Sequence, residues 1–233
     1  MMDIKEEQIF EYIKCPVYFD LKNNKNIKIT ERSMQKYMNE IMNYFYSNLF
    51  QGKVCTINML KNKWDKICEK NRDMISNKKN LEGLNYIINF VRWISDYQPN
   101  IIGYETFFET HFNNIRLTGS LGVVNKIDNK NYELIINRFG IRTPTQIEID
   151  KNLKYTIDCY ILNKEFPKCN IAIKLINHKN NTEFTSYRTN NDFDRLNTIV
   201  LNVAKAIDNK IYYPRENYYC SSCIYKDYCK YWY

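Results

Sequence analysis

The chain has 233 residues, of which 44% are hydrophobic, 15% aromatic and 26% charged, a composition too apolar for a disordered tail. No apolar run approaches the roughly 20 residues that span a bilayer, and residues 1–7 are charged, so we expect an intracellular protein that is neither secreted nor membrane-bound. The six glycines form no phosphate loop, which excludes P-loop and dinucleotide-binding classes, while the net charge of +8 favours an anionic partner such as nucleic acid or an acidic surface.

Hydrophobic periodicity predicts helices in the first part of the chain. Residues 4–13 read as a short helix that is broken at Cys15, because a residue before proline is pushed out of the α region. From residue 31 to residue 93, apolar side chains recur at helical spacing and predict roughly three helices. Residues 1–98 are therefore expected to be mainly helical.

The pattern changes to strands after Pro99. Residues 101–112, 115–127 and 132–139 are separated by Asn-rich turns and predict an antiparallel meander of strands. Helices are predicted at 150–165 and 192–207, and strands at 170–177 and 182–187. This order predicts one α/β domain over 1–233, with a mixed central sheet flanked by helices in 99–210 and a Cys-rich tail in 211–233.

The tail carries the sharpest motif, a C-x2-C-x5-C array of Cys220, Cys223 and Cys229 among aromatic residues. Three thiolates at this spacing suit a tetrahedral zinc or an iron-sulfur cluster, and either needs a fourth ligand. Cys15 is the candidate, since neither His111 nor His178 has a comparable context, but spacing alone leaves the identity of the fourth ligand open; reduced thiols without a metal are the alternative. The remaining cysteines lie in patterned segments where a free cysteine packs as a small apolar residue: Cys55, Cys68, Cys159 and Cys169.

Residues 9–19 around Cys15, paired with the terminal array, resemble the iron-sulfur branch of the RecB-type PD-(D/E)XK nucleases. That branch includes AddB-type recombination nucleases, exonuclease V and CRISPR-adaptation nucleases. The resemblance implies a restriction-endonuclease-like core and a 4Fe-4S cluster whose ligands are Cys15, Cys220, Cys223 and Cys229. A clasp of this kind closes a loop of 205 residues, which is worth on the order of 5 kcal/mol in the chain-entropy model, so its expected role is structural.

The resemblance extends to the catalytic strands, but the catalytic residues differ. Nucleases of this family hold magnesium with an Asp at the end of one strand and an (Asp/Glu)-x-Lys on the next. In residues 116–128, the place of the Asp falls on Gly122 or on Asn125, depending on whether Gly119 or Gly122 is the motif glycine. In residues 132–140, Ile136 replaces the acid and Arg138 replaces the lysine.

Two further positions also differ from the family pattern. The place of the family's helical His falls near Tyr37, and the place of the Gln on the helix after the strands falls near Thr156. The resemblance therefore predicts a retained scaffold with an inactive nuclease centre. Neighbouring acids offer the alternative of a rearranged site that is active with magnesium or manganese: Glu105, Glu109, Asp128 and Glu133.

The leading expectation is an inactive nuclease homologue that binds DNA or serves as a subunit of a DNA-processing complex. The alternatives are an active metal-dependent DNA nuclease and a subunit that binds only protein. Arg138 has a second interpretation, in which it pairs with Glu133 or a phosphate. Basic residues are the candidates for contact with DNA phosphates: Lys126, Lys130, Arg138, Arg142, Lys174 and Arg188.

Overall fold

A computed structural model describes residues 1–25, 27, 33–140, 142–217 and 219–229. These ranges form the mixed α/β fold that the sequence predicts. The strands are β1 (Met2–Lys5), β2 (Ile101–Gly103), β3 (Phe107–Phe112), β4 (Ile115–Ser120), β5 (Val123–Lys126), β6 (Asn131–Arg138), β7 (Asn170–Asn177) and β8 (Thr182–Tyr187). The helices are α1 (Glu6–Lys14), α2 (Pro16–Phe19), α3 (Met34–Phe50), α4 (Ile57–Lys70), α5 (Asn77–Tyr97), α6 (Gln146–Asp150), α7 (Leu153–Glu165) and α8 (Asn190–Asp208).

The central sheet has the strand order β2-β5-β6-β7-β8, in which β6 and β7 are parallel and the other neighbours are antiparallel. Its two faces pack against different helices. Val124 and Leu134 belong to a core that includes residues of α7 and α8, whereas Val123 and Ile135 belong to a core with residues of α3, α4 and α5. The β6–β7 connection contains α6 and α7, as a crossover between parallel strands requires.

The predicted meander of three strands is wrong in its details, because two of the three strands are each divided between two sheets. The first breaks at Glu105, whose φ of 46° lies in the left-handed region, and the second breaks between Ser120 and Val123. The freed halves, β3 and β4, join β1 in a second sheet of order β1-β4-β3. The predicted helix at residues 4–13 also starts later, since Ile4 lies in β1 and pairs in parallel with β4.

Polar caps fix the starts of helices α3 to α5, and a close contact joins α4 to α5. The side chains of Ser33, Thr56 and Ser76 accept hydrogen bonds from the first turns of α3, α4 and α5. Gly83 of α5 lies against the fully buried indole of Trp64 in α4, where an added Cβ would come within 2.2 Å of the ring. In the described residues, no helix combines the length and apolarity needed to cross a membrane.

Candidate metal centre and nucleic-acid face

Cys15 lies at the junction of two helices near the start of the chain. Its backbone is extended, with φ −167° and ψ 120°, so α1 ends there and Pro16 begins α2. Proline suits this first helical position, because it lacks the N–H that a helix start leaves unpaired. The junction sets Cys15 in the wall of a cavity that it shares with the tail.

Two 3₁₀ turns, Cys220–Ser222 and Lys226–Tyr228, shape the tail. They bring Cys220, Cys223 and Cys229 to the cavity that Cys15 lines, so the four predicted ligands face one space. Across the described ranges, no three His, Cys, Asp or Glu side chains lie close enough together to hold a single metal ion.

The remaining wall of the cavity is apolar. Val17, Tyr18 and Leu21 pack with Tyr225 of the tail, and all four are buried. The rings of Tyr18 and Tyr225 meet edge to face with centroids 4.9 Å apart. An apolar shell of this kind limits the access of water to a metal group.

Hydrogen bonds hold the tail along the last turn of α1. The Tyr12 hydroxyl donates to the carbonyl of Ile211 at 2.5 Å, and the Arg215 guanidinium donates to the carbonyl of Ile13 at 2.5 Å. The Asn217 amide donates to the carbonyl of Lys14 at 3.2 Å. Thus hydrogen bonds hold the tail against the end of α1, next to the cavity that both segments line.

Three of the other cysteines are kept as neutral thiols by their surroundings. Burial raises the pKa of the Cys159 thiol to about 12, and it raises the pKa of Cys55 and Cys68 above the usual value. Cys169 is half-buried, and its thiol donates to the carbonyl of Asn129 at 3.7 Å. None of the four lines the cavity of Cys15.

The register of β5 and β6 distinguishes the two candidate places for the missing Asp. Val124 pairs with Leu134, so Gly122 lies opposite Ile136 at the entry to β5. A Cβ on Gly122 would sit 3.9 Å from Cδ1 of Ile136. Gly122, and not Asn125, therefore shares a face with the position where the family has its second acid.

Asn125 faces the other side of the sheet. Its amide donates to a carboxylate oxygen of Glu133 at 2.9 Å, and the Tyr97 hydroxyl donates to the same oxygen at 2.6 Å. Both Asn125 and Glu133 are buried. The interpretation that Arg138 pairs with Glu133 is wrong, because the two side chains belong to opposite faces of β6 and Glu133 has these other partners.

The two further family positions lie on different sides of the sheet. Tyr37 is buried in the core of α3, α4 and α5, where its hydroxyl donates to Asn71 at 3.3 Å. Thr156 lies on α7, on the side of Ile136. Its hydroxyl donates to the carbonyl of Asn152 at 3.0 Å and accepts from Nε of Arg188 at 2.8 Å.

The acids proposed for a rearranged site are not brought together. Glu105 is exposed, and Glu109 pairs with Arg116 at 2.8 Å at the surface. Asp128 accepts from the side-chain amide of Asn131 and from the backbone N–H groups of Lys130 and Asn131, which lowers its pKa. With Glu133 bound to Asn125 and Tyr97, these four carboxylates occupy separate environments.

The six basic candidates divide into three pairs. Arg138 and Arg142 line one polar cavity at the end of β6, together with Tyr155. Lys126 and Lys130 lie at the opposite end of β6. The third pair is engaged within the protein: Lys174 lies 3.1 Å from Glu183 and 3.9 Å from the centre of the Tyr97 ring, and Arg188 donates to Thr156 and to the carbonyl of Ile149.

The sequence did not predict a cluster of three charged side chains that the fold brings together. The Lys154 ammonium donates to Glu6 at 3.0 Å, to Asp158 at 2.7 Å and to the carbonyl of Ser120 at 2.8 Å. Burial raises the pKa of Glu6 to about 7 and that of Asp158 to about 6. The only signal in the sequence is the Lys154–Asp158 spacing of four residues on a helix; nothing local connects Glu6 to them.

Comparison with known proteins identifies the fold. No protein-family model and no curated protein matches the chain. The fold is similar to that in the crystal structure of a protein from Eubacterium rectale described as a "putative exonuclease", with a TM-score of 0.60 and 8% identity over 97% of this chain and 87% of that chain. At this identity the likeness shows the fold alone, and it agrees with the predicted mixed α/β fold.

A second solved structure, that of SSO0001, is less similar. Its TM-score is 0.39 and its identity 10%, over 87% of this chain and 98% of that chain. A likeness of this size carries no argument.

Proposed function

We propose that this chain is a catalytically inactive, iron-sulfur-stabilised nuclease homologue of the RecB type that binds DNA, alone or as a subunit of a DNA-processing complex. One observation carries the proposal. Gly122 is one of the two places to which the resemblance assigns the family's Asp, and it faces Ile136, the place of the second acid, across β5 and β6. The scaffold of the centre is retained while its acids are replaced.

The replacement removes the chemistry of a nuclease centre. Magnesium takes oxygen ligands, and the reaction depends on carboxylates that hold the metal beside the attacking water and the leaving oxygen. Glycine has no side-chain ligand, and Ile136 offers only methyl and methylene groups. On the same side of the sheet, the Thr156 hydroxyl donates to Asn152 and accepts from Arg188.

The cysteine cavity supports an iron-sulfur cluster as the structural group. In a cubane cluster each of four thiolates binds a different iron atom, and four cysteines line this cavity. Zinc would instead draw four sulfurs to about 2.3 Å from one point. Bound there, the cluster would cross-link α1 to the tail, with Cys15, Cys220, Cys223 and Cys229 as its ligands and the apolar wall of Val17, Leu21 and Tyr225 excluding water.

Two observations support a nucleic-acid ligand: the net charge of +8, and the likeness to the Eubacterium rectale protein, which is described as an exonuclease.

The test measures binding and cleavage of single- and double-stranded DNA. We expect no cleavage with magnesium or manganese, and binding that weakens steeply as salt is added, since phosphate contacts release counterions. Cleavage that an alanine at Glu105, Glu109 or Glu133 abolishes would establish the rearranged nuclease instead. Co-purification with a larger protein and no DNA binding would establish a protein-interaction subunit.

A further inference from the structure

The cavity at the end of β6 is a polar space of about 220 Å³. This is many times the roughly 10–15 Å³ that one water molecule requires, so the cavity has room for a polyatomic ligand. It adjoins the face of the sheet that carries Gly122 and Ile136, because its wall includes Leu175, which pairs with Ile136 across the sheet. Its other lining residues come from β6, the segment around α6, the start of α7 and the tail: Arg138, Arg142, Pro144, Glu148, Ile149, Asn152, Tyr155 and Tyr219.

Arg138 carries the unbalanced charge of this cavity. Its one hydrogen bond within the described ranges is long, from Nε to the carbonyl of Arg142 at 3.4 Å, and no carboxylate there pairs with it. The nearby acids have other partners: Glu148 binds Arg142 at 2.5 Å, and Asp150 accepts from Ser186 at 2.7 Å. A guanidinium that is partly withdrawn from water and lacks a counter-charge favours an anionic ligand.

Other groups at the cavity suit the same ligand. Arg142 is paired with Glu148, but its side chain is 67% exposed and can turn toward a stronger anion. The Tyr155 hydroxyl has no hydrogen-bond partner in the described part of the chain, although its ring is half-buried beside Arg138. Asn152 caps α7, so the positive end of that helix also lies at the cavity. Two guanidinium groups and a hydroxyl are the donors that bind phosphate oxygens elsewhere.

We propose that this cavity binds a phosphate group of a nucleic-acid strand, with Arg138 as its central ligand and Arg142 and Tyr155 as further donors. The inference rests on the proposed DNA-binding function and assigns it a site. Tyr219 lies at the same cavity with 47% of its surface exposed, where its ring can stack on the neighbouring base. Since Tyr219 precedes Cys220 directly, the cysteine clasp holds one wall of the phosphate site.

The test compares Arg138→Met with Arg195→Met, which removes the same charge from an exposed position on α8 outside the cavity. Fluorescence anisotropy measures the affinity for a short single-stranded DNA with a 5′-phosphate and for the same strand with a 5′-hydroxyl. We expect Arg138→Met to weaken binding about tenfold or more and to reduce the salt slope by about 1, while Arg195→Met has a much smaller effect. A strand that needs its 5′-phosphate would identify a terminal phosphate; equal binding of both strands would identify a backbone phosphodiester.

A separate measurement uses inorganic phosphate alone, which should raise the melting temperature of the wild type and of Arg195→Met but not of Arg138→Met. If Arg138→Met binds DNA and phosphate like the wild type, the phosphate site is wrong while the DNA-binding function stands. If the wild type binds no DNA yet phosphate stabilises it through Arg138, the DNA-binding function is wrong while the site stands. Arg142→Met, at an exposed position, gives the same test if Arg138→Met does not fold, and unchanged affinity would then refute the site.

Discussion

Replacing Cys15 by serine tests the iron-sulfur clasp directly. Cys15 and Cys220 are 205 residues apart, and cross-linking so long a loop is worth up to about 5 kcal/mol in the chain-entropy model. The three hydrogen bonds of Tyr12, Arg215 and Asn217 remain in the variant, each contributing about 1 kcal/mol, so the tail keeps part of its attachment. In a domain of this size, 1 kcal/mol corresponds to about 2–4 °C, and we expect the melting temperature of Cys15→Ser to fall by at most about 10–20 °C.

The assay is thermal unfolding of protein purified without oxygen, combined with analysis of iron and acid-labile sulfide. The matched control is Cys55→Ser, because Cys55 is also a half-buried cysteine but lies outside the cavity. We expect Cys15→Ser to lose most of its iron and sulfide, and Cys55→Ser to retain both. Equal metal content and equal melting temperatures in the two variants would refute the clasp.

Two further predictions concern the packing and charge that position the sites. Burial raises the pKa of Glu6 from 4.5 to about 7 and that of Asp158 from 3.8 to about 6. In this pH range the folded state therefore holds more protons than the unfolded state. The free energy of unfolding should consequently fall as pH rises from about 5 to about 8. Urea unfolding of Glu6→Gln should show a weaker pH dependence than the wild type, and an identical dependence would contradict the assignment. Gly83→Ala places a methyl group 2.2 Å from the Trp64 ring and should cost at least about 2 kcal/mol by the same method; a gain of about 1 kcal/mol, as at an open helical site, would show that the two helices separate freely.

The sequence predicts those parts of the fold that local patterns determine. Strands β7 and β8 begin and end at the predicted residues, because each is bounded by its own turn residues. The division of residues 101–127 into four strands was not predictable from alternation, since the pattern continues through the breaks at Glu105 and before Val123. Strand β1 was missed because its partner, β4, lies more than a hundred residues later.

The candidate sites follow the same rule. The cysteine spacing and the family resemblance predict that Cys15 and the tail array belong together, and the four residues line one cavity. The sequence left Gly122 and Asn125 as alternatives, since both lie at the motif, and only the register against β6 separates their faces. The cavity of Arg138 could not be predicted, because it takes its walls from β6, the segment around α6, α7 and the tail.

The pairing of the first residues with much later ones sets an order for biosynthesis. Helices α3 to α5 contact one another and can collapse soon after they leave the ribosome, whereas β1 must wait for β4, and Cys15 must wait until residue 229 has been made. Contacts of such long sequence separation form slowly. The cavity of Cys15 is therefore completed only after residue 229 has left the ribosome, later than the contacts among α3, α4 and α5.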